Sequence, residues 1–304
     1  MDNNKVMIVG TGNVGASIAF ALLNQRTAVN EIILTDIIAK DAEGEAMDLN
    51  DALAVVPSYL KIKNGTYKDA KDCDVVVITA GAAQRPGETR MELLKKNVNI
   101  LKGMVEQIMD SGFNGIFLIV SNPMDVLTYY AWKFSGLPYE RVIGSGTVLD
   151  SARLRQRLAS YLNVNPKSVH AYQVGEHGDS EVSLMSIADV GGQKVTTLLP
   201  RDTLKGVSEF VRNEAYDIIE KKGATYYGIA TCVVQILNSI FNDEMRILPV
   251  SSYDAFSDTC FGWPTVLGRE GVVRRLDVKI SEREGIELQK SINVLKEAIS
   301  QIKY

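Results

Sequence analysis

Short, almost continuously apolar runs alternate with stretches of helical period through the first half of the chain. The runs are Lys5–Val9, Glu31–Thr35, Leu60–Asn64, Val75–Thr79 and Ile116–Ser121. Segments this apolar at successive positions predict strands buried on both faces, as in a parallel sheet. Helical patterns lie between them near Val14–Asn24, Asp41–Val55, Met91–Met109 and Pro123–Phe134. The alternation predicts right-handed strand–helix–strand crossovers and a doubly wound α/β sheet.

The second half has a different rhythm. A helical pattern at Val148–Leu162 leads through Asn165-Pro166 to strand-like runs at Val169–Val174 and Val182–Val190. Two helices follow, Arg201–Lys221 and Thr225–Asn242, separated by Gly223. Strand-like runs at Arg246–Tyr253, Thr259–Leu267 and Gly271–Leu276 precede a final amphipathic helix, Ser281–Ile302, opened by a serine with glutamate three residues on. This α+β pattern places a boundary near Gly144–Gly146 and divides the chain into residues 1–145 and 146–304. No internal repeat or linker-like tract separates the two parts, which predicts a broad interface between them.

Length agrees with two lobes, since 304 residues exceed the usual single-domain size. A formal net charge of −4 with interspersed signs argues against nucleic acid or an anionic membrane as a partner. Cys73, Cys232 and Cys260 are odd in number and far apart, offering neither a disulfide framework nor a zinc site. A strand beginning at Lys5 predicts no secretory leader, and the apolar runs are too short to span a bilayer. The expectation is a cytoplasmic protein without a metal.

Gly10-Thr11-Gly12-Asn13-Val14-Gly15 follows the first strand and opens the first helix. In such a turn Gly10 permits the tight bend, Gly12 lets backbone approach a pyrophosphate, and Gly15 lets helix pack on strand. The phosphates then meet the free N–H groups at the helix start. Asp36 ends the second strand, where an acid takes the adenosine ribose hydroxyls; it would repel a 2′-phosphate, so NAD is favoured over NADP. Together these features predict a Rossmann first half followed by an α+β catalytic part.

Four further groups carry candidate chemistry. His177 is one of two histidines and sits in Gly175-Glu176-His177-Gly178-Asp179, where flanking glycines are expected to clear space around the imidazole. Imidazole suits proton transfer near neutral pH. The stretch from Ala80 to Arg90 follows the fourth strand, starts with small residues including Gly81, and carries Pro86-Gly87 between Gln84 and Arg90. It reads as a closing lid that brings a guanidinium and an amide over a reacting centre, or as a solvated surface loop. Asp150 and Arg153 lie three apart on one helical face. They would orient His177 and clamp a carboxylate, although spacing alone favours a simple intrahelical salt bridge. Arg155 points about 200° round the helix from Arg153. His170, at odd spacing from His177, falls on the opposite sheet face if the stretch stays extended.

With these residues in hand the chain resembles the L-lactate dehydrogenase family, within the lactate/malate dehydrogenase superfamily. The glycine-rich start, the Ala80–Arg90 stretch, Val120-Ser121-Asn122-Pro123-Met124-Asp125, the segment from Gly144 to Arg153, the one from Val169 to Glu181, and Gly223-Ala224-Thr225-Tyr226-Tyr227-Gly228 carry the resemblance over essentially the whole chain. It implies His177 as the acid/base of a reversible hydride transfer between NADH and pyruvate, paired with Asp150. Arg90 would polarise the substrate carbonyl and Arg153 bind its carboxylate. Asn122 would hold substrate and nicotinamide, and Thr225 would wall the substrate's third carbon.

Gln84 bears on substrate choice. The malate branch characteristically has arginine there, and burying a second carboxylate against a neutral amide should cost several kcal/mol. The resemblance therefore points to pyruvate/L-lactate, with malate dehydrogenase or a broader L-2-hydroxy acid dehydrogenase as the alternative. Arg155 and His170 resemble positions at which bacterial members bind fructose 1,6-bisphosphate between subunits of a homotetramer, and the helix Asp41–Val55 looks like an interface element. Trp263 in Phe261-Gly262-Trp263-Pro264 and Ser252 depart from the family's commonest pattern without touching the implied chemistry.

Overall fold

The computed structural model describes residues 4–57, 59–82, 87 and 89–302. The first half runs β1 (Lys5–Val9), α1 (Asn13–Asn24), β2 (Glu31–Thr35), α2 (Ala39–Ala52), β3 (Lys61–Asn64), β4 (Val75–Ile78), α3 (Arg90–Asp110), β5 (Ile116–Ile119), α4 (Met124–Ser135) and β6 (Val142–Gly144). The six strands are parallel and lie in the order β3-β2-β1-β4-β5-β6. Strand order reverses between β1 and β4, and ligands bind open α/β sheets in the crevice at the carboxyl edge of such a reversal.

Strict alternation along these strands feeds two separate layers. Val6 and Ile8 of β1, with Ile116 and Leu118 of β5, pack into one apolar cluster with residues of α1. Met7, Val9, Phe117 and Ile119 point the other way, into a cluster with residues of α3 and α4. Period-two side chains with both faces apolar are what a doubly covered sheet demands.

The second half comprises α5 (Val148–Leu162), β7 (Val169–His170), β8 (Gln173–Val174), β9 (Val182–Ser183), β10 (Asp189–Val190), β11 (Gln193–Lys194), α6 (Val195–Leu198), α7 (Arg201–Lys222), α8 (Tyr227–Phe241), β12 (Arg246–Asp254), β13 (Thr259–Gly268), β14 (Gly271–Arg275) and α9 (Glu282–Ser300). The long strands do not form a sheet of their own. β12 pairs antiparallel with β6 through Ser251 and Gly144, so β12, β13 and β14 extend the first sheet to nine strands among the described residues.

Two expectations need correction, and one element was absent from them. The three-residue β6 is too short to stand out from periodicity, yet it joins the two halves. The run Val169–Val174 does not stay extended: β7 pairs with β10 in one small sheet, β8 with β9 in another. Gly175, at φ +90°, then turns the chain, so the relation between His170 and His177 is not one of strand faces. Helix α8 starts two residues after Thr225, which lies in the connection closed by the left-handed Gly223.

A Cβ on Gly144 would lie 2.4 Å from Thr128 Oγ1 and 3.0 Å from Ser251 Cβ. Gly144→Ala is therefore expected to overpack the β6–β12 junction and to lower stability by about 1–3 kcal/mol. Urea unfolding checks this, and an unchanged midpoint would show that the junction yields freely.

Candidate active site

The turn after β1 has the geometry of a phosphate cradle. Gly10 takes φ +97°, and a Cβ on Gly15 would come within 1.8 Å of the Gly10 carbonyl oxygen, so strand and helix meet there without side chains. On Gly12 a Cβ would meet nothing within 4 Å. Gly12 caps α1 without any side-chain hydrogen bond, while Asn13 is exposed and Val14 half-buried at the helix start. Open space before uncapped helical N–H groups suits an anion.

Asp36, just after β2, is held towards this turn. One carboxylate oxygen accepts the Thr11 N–H at 2.7 Å, and the other accepts the Ile38 N–H at 3.0 Å. Partial burial pushes its carboxyl up, but the Thr11 and Ile38 bonds outweigh burial and hold it below the usual carboxylate range. An ionised acid beside a glycine-rich turn, with exposed Ile37 and Ile38 beyond it, fits the ribose of a dinucleotide without a 2′-phosphate.

The loops after β4 and β5 are tied to one another by Asn97 of α3. Its Oδ1 accepts the Ala82 N–H at 2.8 Å, and its Nδ2 donates to the Asn122 carbonyl at 3.0 Å. Gly81 is exposed beside it, and a Cβ there would make only ordinary contact with Asn97. Asn97 is buried on the apolar stripe that carries Leu94, Val98 and Leu101. A polar residue on a buried stripe was the sequence signal that could have marked it.

Asp150, in the first turn of α5, is buried and uses both oxygens. Oδ2 accepts from His177 Nδ1 at 2.7 Å, and Oδ1 accepts from Arg153 Nη1 at 3.0 Å. The intrahelical salt bridge and the histidine-orienting contact, alternatives on sequence grounds, exist together. Arg153 is also buried, with Glu214 of α7 3.8 Å from its Nε. The His177 side chain retains 28% of its exposure.

The charges reinforce one another. Asp150 acts most strongly on His177, burial opposes it, and the net effect pushes the imidazole up to about 9. Burial would raise Asp150 in turn, but the charges and hydrogen bonds of His177 and Arg153 hold it below the usual carboxylate range. Buried Glu181, which accepts from Gln173 Nε2 at 2.7 Å, is pushed up to about 8 by burial and then by the nearby Asp150 charge.

The glycine before His177 does not clear room for the ring as expected. A Cβ on Gly175 would strike Ser291 Oγ of α9 at 2.5 Å, so the residue serves close helix packing. Arg155 is half-buried, with its Nε on the Ser151 carbonyl at 3.4 Å, and His170 is exposed on β7, which packs against α5. Asn122 is exposed after β5 and Thr225 half-buried before α8. Gln84 and the side chain of Arg90 lie outside the described residues; the Arg90 backbone opens α3, capped by Thr89 and Glu92.

The structure thus holds a nucleotide-type cradle after β1 and a buried Asp–His–Arg cluster at α5. Residues 4–144 match the family model described as lactate/malate dehydrogenase, NAD binding domain, and residues 147–304 match the model of its alpha/beta C-terminal domain. The chain belongs to the lactate/malate dehydrogenase family. It is an NAD-dependent oxidoreductase. Among relatives of this dehydrogenase, L-lactate dehydrogenase 1 of Bacillus cereus is 48% identical, and L-lactate dehydrogenase 2 of Bacillus anthracis 49% identical, each over 98% of both chains. A lactate dehydrogenase structure from a Medee basin deep-sea metagenome library superposes with a TM-score of 0.98 at 47% identity, covering all of both chains. The minor L-lactate dehydrogenase of Enterococcus mundtii in its ligands-bound form gives 0.97 at 41% identity, over 100% of this chain and 99% of that one. No helix among the described residues of this dehydrogenase is long and apolar enough to cross a membrane.

Because the chain has only two histidines, the His177 imidazole can be titrated by NMR, assigned with a His170→Gln variant. The wild-type ring is expected to titrate near 9, and Asp150→Asn is expected to lower that midpoint by more than one unit. A midpoint in the ordinary histidine range for both proteins would refute the charge coupling.

Proposed function

We propose that this dehydrogenase is an L-lactate dehydrogenase that reduces pyruvate to L-lactate with NADH and runs the reaction in reverse. The observation that carries the reading is Asp150, whose two oxygens hold the His177 imidazole and a buried guanidinium in one cluster. Residues 1–145 would bind the cofactor through Gly10, Gly12, Asn13, Val14, Gly15, Asp36, Gly81 and Asn122. Residues 146–304 would supply His177, Asp150, Arg153 and Thr225.

NADH, when bound, supplies the hydride. With Nδ1 held on Asp150, His177 gives the proton on Nε2 to the pyruvate carbonyl oxygen, and the imidazolium becomes neutral. In lactate oxidation the neutral ring takes the hydroxyl proton back, and Asp150 stabilises the cation that forms. Arg153 binds the substrate carboxylate, which suits a guanidinium already desolvated beside acids. Arg90, carried on the segment that leads into α3, polarises the carbonyl as that segment closes, while Asn122 and Thr225 bound the remaining faces. Reduction needs the protonated ring, so its kcat/KM should be level below about 9 and fall as pH rises through it; lactate oxidation should rise over the same interval.

Gln84 supports a monocarboxylate substrate, because no cation at that position answers a second carboxylate. Gln84→Arg is expected to raise the preference for oxaloacetate over pyruvate by at least about tenfold, as a buried charge gains its partner. Initial rates of NADH oxidation with the two acids read this, and a variant that keeps the wild-type ratio would remove Gln84 from specificity.

Arg155 and His170, on the packed elements α5 and β7, would form part of a fructose 1,6-bisphosphate site between subunits of a homotetramer. Exposed Met47 on α2 and Val55 just beyond it support a subunit contact there. Free, buried cysteines support a reducing, cytoplasmic location. The effector should lower the pyruvate KM of the wild type and leave that of Arg155→Gln unchanged; equal response in both proteins would exclude Arg155.

A further inference from the structure

One buried acid beside this site has no part in the steps above. Asp125 is the second residue of α4 and is only 2% exposed. Its Oδ2 accepts the backbone N–H of His177 at 2.7 Å. Its Oδ1 is buried with no hydrogen-bond partner among the described residues, and neither has Ser251 Oγ on β12. A carboxyl left half-satisfied in the interior is costly unless its position is needed.

Its connections are informative. Asp125 lies three residues after Asn122, on the segment that leaves β5 at the carboxyl edge of the parallel sheet. His177 belongs to the other half of the chain, and its ring is held there by Asp150 of α5. The histidine is thus fixed twice, by its ring to the second half and by its backbone to the first. The ring bond sets the tilt of the imidazole, and the backbone bond sets the point from which the side chain projects. Only the second ties the proton donor to the segment that carries Asn122.

We propose that Asp125 is a positioning residue for His177, anchoring its backbone to the α4 start and adding negative charge that favours the imidazolium. This rests on the reading of His177 as the acid/base. The groups facing Asp125 are His177 and Glu176 on the loop after β8, Ser251 on β12 and Cys260 on β13. Those facing His177 are Asp150, Asp125 and Glu181. Burial pushes the Asp125 carboxyl up to about 7, against the pull of the Ser251 hydroxyl, which lies beside it without completing a hydrogen bond, and of the His177 N–H. Its negative charge is therefore lost as pH falls through about 7, and with it part of the support for the imidazolium.

The test compares Asp125→Asn, which keeps an acceptor for the His177 N–H, with Asp125→Ala, which removes it, and with His177→Asn. Each full-length protein is assayed for kcat and pyruvate KM, for NADH affinity by fluorescence, and, in the two Asp125 variants, for the His177 NMR midpoint. Asp125→Ala is expected to lose at least tenfold in kcat with NADH affinity within about twofold of wild type. Asp125→Asn is expected to lose less, and both to titrate His177 at lower pH than wild type. An unchanged midpoint in folded Asp125→Asn overturns the proposal, whether or not the alanine variant folds. So does wild-type kcat in folded Asp125→Ala. Activity of His177→Asn within tenfold of wild type would instead sink the acid/base reading, since the NMR midpoint measures the Asp125–His177 contact independently of turnover.

Discussion

A single buried carboxylate, Asp150, holds two basic side chains in one cluster. Its oxygens face two different cations, the imidazole of His177 at 2.7 Å and the guanidinium of Arg153 at 3.0 Å. Each partner lowers the cost of burying the acid, and the acid in turn keeps both partners charged and aimed. Removing it would deprive both cations of their nearest counter-ion, which couples the three groups. The first turn of α5 is a favourable place for the acid, because the positive end of the helix adds to its support.

The sheet decides where that cluster stands. β6 ends at Gly144, pairs with Ser251 of β12, and releases the chain into α5 within a few residues. The same three-residue strand therefore closes the parallel half, receives the antiparallel half and sets where Asp150 begins its helix. Asn97 ties the loops after β4 and β5 together by bonding to backbone of both. Strand order places these loops at the reversal between β1 and β4, where side chains from either half can converge without crossing a helix.

Much of this was written in local pattern. The apolar runs and helical periods located nearly every long element, and the glycine spacing after Lys5–Val9 marked the cradle, because a parallel sheet buried on both faces and a helix packed at van der Waals distance restrict residue type at each position. His177, Asp150, Arg153 and Asp36 could be singled out by type and spacing and by the family they resemble. For Asn97 the sequence offered only a polar residue on an apolar stripe, and for Asp125 only membership of a motif; what each does depends on a backbone group of another element.

The sequence by itself determined fold class, the glycine-rich turn after β1 and the candidate residues Asp150, Arg153 and His177, since periodicity, glycine placement and residue chemistry are local properties. Tertiary structure alone decided that Asp150 serves His177 and Arg153 at once, that Gly175 makes way for Ser291 and not for the ring, and that one nine-stranded sheet joins both halves among the described residues. Those outcomes depend on distances between residues far apart in the chain, and hydrogen-bond geometry and excluded volume have no counterpart in spacing along it.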